Sequence, residues 1–247
     1  MSGYLRSVRD DIPAAGFCAK NLIRRHPEFT LGPISITVNP GEVVALVGAN
    51  GSGKTTTLNL LAELDQPEEG TVSFPCPNPA AALRCGLVTD ADDMPEDLTA
   101  REMWSVIARV SSACRSEATT LLDRARSLAA TFVFTQHDQL IGTLSHGNRQ
   151  KAKLVAAFMV EPPTMLLDEP RNGLDPVAIH HLNRQLTGYA GRGGALVFAT
   201  HDLHYAERSA SRIVALHQGR VVFNGTAPEV PGRSLPDWYV QMATSDV

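Results

Sequence analysis

Nowhere in the 247 residues is there an apolar run long enough to cross a bilayer, so any membrane role is expected to come through a partner. The stretch from Met1 to Asp10 lacks the hydrophobic core of a secretory signal, and no lipid-anchor motif is evident. Cysteine is scarce: Cys18, Cys76, Cys85 and Cys114 sit far apart without metal-ligand spacing, and read as reduced cytosolic thiols. Positive charge is not in excess either. A formal net charge of −4 argues against a general nucleic-acid binder, and no nucleic-acid partner is expected. Internal repeats and low-complexity runs are lacking. What remains, 43% hydrophobic and 19% charged, suits one large domain or a domain with a sub-lobe.

The most informative stretch is Gly48-Ala49-Asn50-Gly51-Ser52-Gly53-Lys54-Thr55. Val43 to Val47 before it is short, apolar and β-branched, as a buried strand is; Thr56 to Leu64 after it has helical composition, with leucines at 58, 60, 61 and 64. Strand, glycine-rich loop and helix together make a phosphate-binding loop. Glycines let successive backbone N–H groups turn inward on phosphate oxygens, and the helix N-terminus adds its partial positive charge. Lys54 then reaches the β- and γ-phosphates, and the Thr55 hydroxyl can ligate Mg²⁺. The chain is therefore expected to bind a nucleoside triphosphate.

In chain order, residues 1–15 read as a lead-in. Phe17–Leu22 and Ile34–Val38 are expected strands, and Asn39-Pro40-Gly41 turns the chain into the phosphate-loop strand. Strands this close together predict a small antiparallel sheet beside the nucleotide. Thr71–Phe74 and Gly86–Thr89 are further strands, separated by a proline-studded loop at Pro75–Pro79. From Leu98 to Ile141 proline and glycine vanish, which predicts several inserted helices. A helix over Leu144–Val160, a strand at Met165–Leu167, a helix over Pro176–Tyr189 and a strand at Ala195–Ala199 continue a βα alternation. Ile213–Leu216 and Val221–Phe223 close as a hairpin around Gln218-Gly219. Beyond Pro228 only a short tail, 229–247, is expected.

Asp168 and Glu169 end an apolar strand, the place where open α/β sheets bind ligands. Asp168 can hold Mg²⁺ opposite Thr55, and Glu169 can orient or deprotonate an attacking water. About twenty residues upstream, Leu144-Ser145-His146-Gly147-Asn148-Arg149-Gln150 places Ser145 as an N-cap and leaves helix-start N–H groups exposed as an anion site.

Leu-Ser-x-Gly-x-Arg-Gln resembles the signature motif of ATP-binding-cassette (ABC) ATPases. Asn172-Gly173-Leu174-Asp175-Pro176 resembles the family's D-loop, and Ala199-Thr200-His201-Asp202 its switch region. The resemblance runs through roughly residues 16–228 in the right order. It implies an α/β fold: a P-loop NTPase, RecA-like core with an antiparallel β lobe and an α-helical lobe inserted at about 97–145. It also implies an ATPase using ATP and Mg²⁺. Gly48 to Thr56 would bind the phosphates, Thr55 and Asp168 the metal, and Lys54, Glu169 and His201 would serve catalysis. Ser145, His146, Gly147 and Asn148 would face ATP held by the opposite subunit of a head-to-tail homodimer or heterodimer. Transmembrane permease subunits would hold the protein at the cytoplasmic side of the membrane, with the acidic loop Asp90–Asp97 against a coupling helix. Leu98-Thr99-Ala100-Arg101-Glu102 and His201-Asp202-Leu203 look most like exporter ATPases for drugs, antibiotics, lipids or polysaccharides.

Three departures from the family pattern stand out. The family's Q-loop glutamine falls on Asp90, which is expected to contact the metal or a water on it. His146 and Asn148 replace glycine and glutamine in the signature. The adenine-stacking aromatic aligns with His26, or nearby Phe29. Two rival readings accompany the transporter subunit: a soluble ABC ATPase outside transport, and a catalytically weakened cassette paired with a better one.

Overall fold

Among the described residues nine strands form two sheets, and the placement of every functional loop follows from which sheet edge it leaves. The computed structural model describes residues 16–27, 29–75, 84–231 and 234–245. The expected lead-in and most of the Pro75–Pro79 loop lie outside them. Strand β1 (Phe17–Arg25) runs antiparallel to β2 (Thr30–Val38) and to β4 (Glu69–Ser73), giving the small sheet expected from the crowded N-terminal strands. The larger sheet has the order β5-β6-β7-β3-β8-β9, from β5 (Cys85–Val88), β6 (Thr164–Asp168), β7 (Ala195–Thr200), β3 (Val43–Val47), β8 (Arg212–His217) and β9 (Arg220–Gly225). Its first five strands are parallel, and β9 turns back antiparallel through the Gln218-Gly219 turn.

The central strands are apolar on both faces, as a covered parallel sheet requires. Alternate residues separate two cores. Ala45, Val47, Met165, Leu167, Leu196 and Phe198 pack on the side of the large helices. Val44, Leu46, Leu166, Val197 and Ala199 pack on the side of the small sheet. Helix α1 (Lys54–Leu61) joins the second core through Leu58, Leu60 and Leu61, each worth about 1.5–3 kcal/mol of burial. It begins two residues earlier than the sequence pattern suggested and ends three earlier. The backbone at Glu63 enters the left-handed region (φ 57°), and Leu64 is left 71% exposed rather than completing the apolar face.

The inserted segment folds as α2 (Ala100–Val110) and α3 (Arg115–Thr131). Thr99 and Glu102 form a reciprocal cap at the start of α2. On its buried face the Trp104 indole donates to the Ala152 carbonyl at 3.1 Å, tying it to α4 (His146–Val160). Helix α5 (Pro176–Gly191) opens on Asp175 as N-cap with proline at its first position, and α6 (Leu203–Ser209) follows β7. Residues 235–245, read from sequence only as tail, form helix α7, whose Leu235 and Tyr239 are buried in the first core. Among the described residues no helix is long and apolar enough to cross a membrane.

Candidate functional site

Because β5, β6, β7 and β3 are parallel, their C-terminal ends open on one edge. Val47 pairs with Thr200, Asp168 with Ala199, and Val88 with Leu167. The loops after these strands therefore meet: Gly48–Thr55 after β3, Asp168-Glu169 after β6, Thr200-His201 after β7 and Asp90 after β5. The first, second and fourth of these, with Phe29, line a cleft of about 260 Å³ through Asn50, Gly51, Gly53, Lys54, Thr55, Thr56, Asp90, Asp168 and Glu169.

The loop's shape is set by glycine where no other residue fits. Gly53, the N-cap of α1, has φ 102°, and a side chain there would run into Leu31 of β2. Lys54 folds back so that its Nζ donates to the carbonyls of Gly48 (2.8 Å) and Ala49 (3.1 Å). Burial holds this ammonium below the usual lysine range, against the opposing pull of Glu169 and Asp168. The Thr55 hydroxyl donates to Asp168 Oδ2 at 2.6 Å, joining the phosphate loop to the acidic strand end. Burial raises the Asp168 pKa, the Thr55 bond lowers it, and the Glu169 and Asp90 charges raise it further. Hard oxygens and surplus negative charge thus converge in the cleft, a donor set that suits a small divalent cation.

Glu169 sits in the left-handed region (φ 42°), an uncommon conformation for a residue with a side chain. Its amide donates to the Ala199 carbonyl at 3.0 Å. Its Oε1 accepts the His201 backbone N–H (2.9 Å) and lies 2.8 Å from His201 Nδ1, while Oε2 accepts from the Thr200 hydroxyl (3.2 Å). His201 is not among the cleft-lining residues; it reaches the cleft through Glu169. Phe29 lines the cleft itself, and the His26 ring stacks parallel to Phe29 with centroids 5.0 Å apart.

The signature residues line no part of their own chain's cleft. Ser145 caps α4 by accepting the Asn148 N–H, and Asn148 Nδ2 donates to Gln136. Gly147 lies so close to Gly173 that a Cβ on either would strike the other loop, at the Gly173 carbonyl or the His146 ring. The first turn of α4 is thereby pressed onto the 169–175 loop.

Comparison with known proteins decides the family. The sequence pattern described as "ABC transporter" matches residues 31–172, more than half of the chain. The chain belongs to the ABC transporter family. It is an ATP-binding cassette, the ATPase part of that family, with its P-loop NTPase fold. The cassette is 33% identical over 220 residues to a Nod factor export ATP-binding protein I of Burkholderia lata, covering 87% of this chain and 72% of the relative. Against the protein of the same name from Burkholderia pseudomallei it spans 64% of the relative's length, at 34% identity. It is 28% identical to octopine permease ATP-binding protein P of Rhizobium radiobacter, covering 86% of this chain and 88% of that one. A solved "ATP binding subunit of ABC transporter" superposes with TM-score 0.83 at 29% identity, covering 92% of this chain and 99% of that one. A dimeric ATP-binding cassette solved in a post-hydrolysis state with ADP and Pi shares the fold, with TM-score 0.74 and 23% identity over 85% of this chain and 98% of that one.

Two site contacts were beyond sequence reasoning. Asn172 Nδ2 donates to Asp90 Oδ1 at 3.0 Å, joining the loop after β5 to the one after β6. Tyr239 of α7 accepts the Ala49 N–H at 3.0 Å, although 190 residues separate them. No local signal marks either pair, because both are made only by the sheet order.

Proposed function

We propose that this cassette, residues 16–228 with the helical lobe at about 97–145, is the ATP-hydrolysing subunit of an export-type ABC transporter. The observation that carries the hydrolytic part is the paired contact at one cleft: Thr55 on Asp168, and His201 and Thr200 on Glu169. ATP would lie along Asn50–Thr56 with its phosphates on the loop amides and Lys54, and adenine toward Phe29 and His26. Thr55 and Asp168, with Asp90 as a third oxygen donor, would hold Mg²⁺, which spreads the charge of the phosphate groups. Glu169 takes the proton of a water as its oxygen bonds to the γ-phosphorus; the bond to the bridging oxygen breaks, and ADP and phosphate leave. His201 fixes the Glu169 carboxylate and would reach the γ-phosphate of a bound ATP from beside it.

Ser145, His146, Gly147 and Asn148, turned away from their own cleft, would present the start of α4 to ATP on a second cassette. Closure around two ATPs and reopening after hydrolysis would then drive permease subunits, with Asp90–Asp97 as the docking loop and the cytoplasmic membrane face as the location. Export is favoured by the higher identity to the Nod factor export proteins, 33% against 28% for the octopine permease protein.

Glu169→Gln tests this reading. It should retain ATP binding, lose at least about a hundredfold in turnover, the scale of general-base catalysis, and elute as an ATP-dependent dimer on gel filtration. Unchanged phosphate release would refute the role of Glu169; a monomer at saturating ATP would refute the sandwich of two cassettes.

A further inference from the structure

One peptide unit of the phosphate loop is gripped from both sides. The Gly48 carbonyl accepts from Lys54 Nζ at 2.8 Å, and the N–H of the same peptide, that of Ala49, donates to the Tyr239 hydroxyl at 3.0 Å. Tyr239 in turn donates to the Leu216 carbonyl at 2.8 Å, at the end of β8. Gly48 itself is pressed against Leu216, whose carbonyl would meet a Cβ at 2.6 Å. The hydroxyl is thus a bridge between a strand end and the first turn of the loop, and it engages the Ala49 amide before any phosphate can.

Tyr239 is held in place by the rest of α7. It is 6% exposed, beside the His217 ring, while neighbouring Trp238 packs on Phe223 with ring centroids 5.4 Å apart. The Leu235 N–H at the helix start donates to Glu207 of α6 at 3.2 Å, and Met242 packs on the core further along the helix. The helix lies beyond residues 31–172, which the family pattern matches.

We propose that Tyr239 is a positioning residue for nucleotide binding: its hydroxyl sets the orientation of the Gly48–Ala49 peptide, and through it the seat of Lys54. Without the hydroxyl that peptide can rotate, the Gly48 carbonyl leaves Lys54, and the ammonium loses its preset direction toward the phosphates. Binding then bears the cost of ordering the loop, which is the general penalty for lost preorganisation.

The test compares Tyr239→Phe, which keeps the ring and removes only the hydroxyl, with Met242→Ala, which loosens α7 but leaves the bridge. ADP with Mg²⁺ is the probe, since it is not turned over; its dissociation constant is read by calorimetric titration of the full chain at a temperature where circular dichroism finds all three proteins folded. Tyr239→Phe should bind ADP three- to tenfold more weakly, about the worth of one hydrogen bond. Met242→Ala should melt several degrees lower and bind ADP within about twofold of the parent. Equal affinity in Tyr239→Phe overturns the proposal. So does an equal loss of affinity in both variants, which would make α7 a general support and not a positioning element.

Discussion

Three carboxylates, those of Asp90, Asp168 and Glu169, share the cleft with one ammonium, and burial does not treat them alike. Asp168 is 4% exposed, and its folded pKa lies above the unfolded value because burial outweighs the Thr55 hydrogen bond. The native state therefore holds that proton longer than the unfolded chain does. Between the two pKa values stability falls as pH rises, and above both the ionised carboxylate is a standing cost. Asp168→Asn keeps the Thr55 bond and removes the charge, so the nucleotide-free variant should melt a few degrees above the parent at pH 7–8. The gain should shrink as pH is lowered into the carboxylate range, where the parent also becomes neutral. Mg²⁺-dependent ATP turnover should be lost in the same variant. A lower melting temperature at pH 8 would show that the carboxylate is compensated in the nucleotide-free fold. At this scale the sequence was most readable where chemistry is contiguous: Gly48–Thr55 and Asp168-Glu169 each lie at the end of a strand that composition alone reveals. It was silent on Asn172 and Asp90, and on Tyr239 and Ala49, because hydrogen bonds across 82 and 190 residues leave no periodicity.

Helix α4 and the 169–175 loop behave as one element at their junction. Arg149 of α4 donates through Nε to the carbonyls of Ile141 and Leu144 and pairs with Asp92, so the start of the helix is also fastened to the acidic loop. Lys151 pairs with Asp175 at 2.7 Å, holding that acid below the usual carboxylate range. A methyl group at 147 would enter the Gly173 carbonyl, backbone that cannot swing aside as a side chain would. Gly147→Ala should accordingly cost about 1–3 kcal/mol in urea unfolding, the scale of overpacking. A midpoint equal to the parent's would mean that helix and loop part easily. Element boundaries were less readable than element existence. The leucines at 58, 60, 61 and 64 suggested a longer α1, but the helix ends at Leu61 and the backbone turns left-handed at Glu63, before the last of them. Helix α7 was legible in principle. Ser234 accepts the Asp237 N–H and donates back to its carboxylate, so Ser-Leu-Pro-Asp is a helix-start pattern with proline inside the first turn.

The whole molecule is a sheet with two faces, and the alternation of Val44 and Leu46 against Ala45 and Val47 already states which face meets which partner. What no alternation states is how the small sheet is fastened to the large one. The Gln218-Gly219 turn does this. Gly219 accepts from the Gly32 N–H at 2.7 Å and donates to the Ser52 carbonyl at 3.1 Å, with its missing side chain accommodating Thr30. A hairpin tip ordinarily trades its amide protons with water within seconds, being the first part of a fold to open. Here the tip is clamped between β2 and the phosphate loop, so the Gly219 amide should exchange deuterium on the slow schedule of the central strands. Occupancy of the loop by ADP should slow it further, and slow Gly32 with it, in a sheet that need not touch phosphate. Rapid labelling of Gly219 in a nucleotide-free sample would show the clamp open in solution. Slow labelling of both amides would mean that the small sheet and the phosphate loop open in a single event, and that a tug on either is felt by the other.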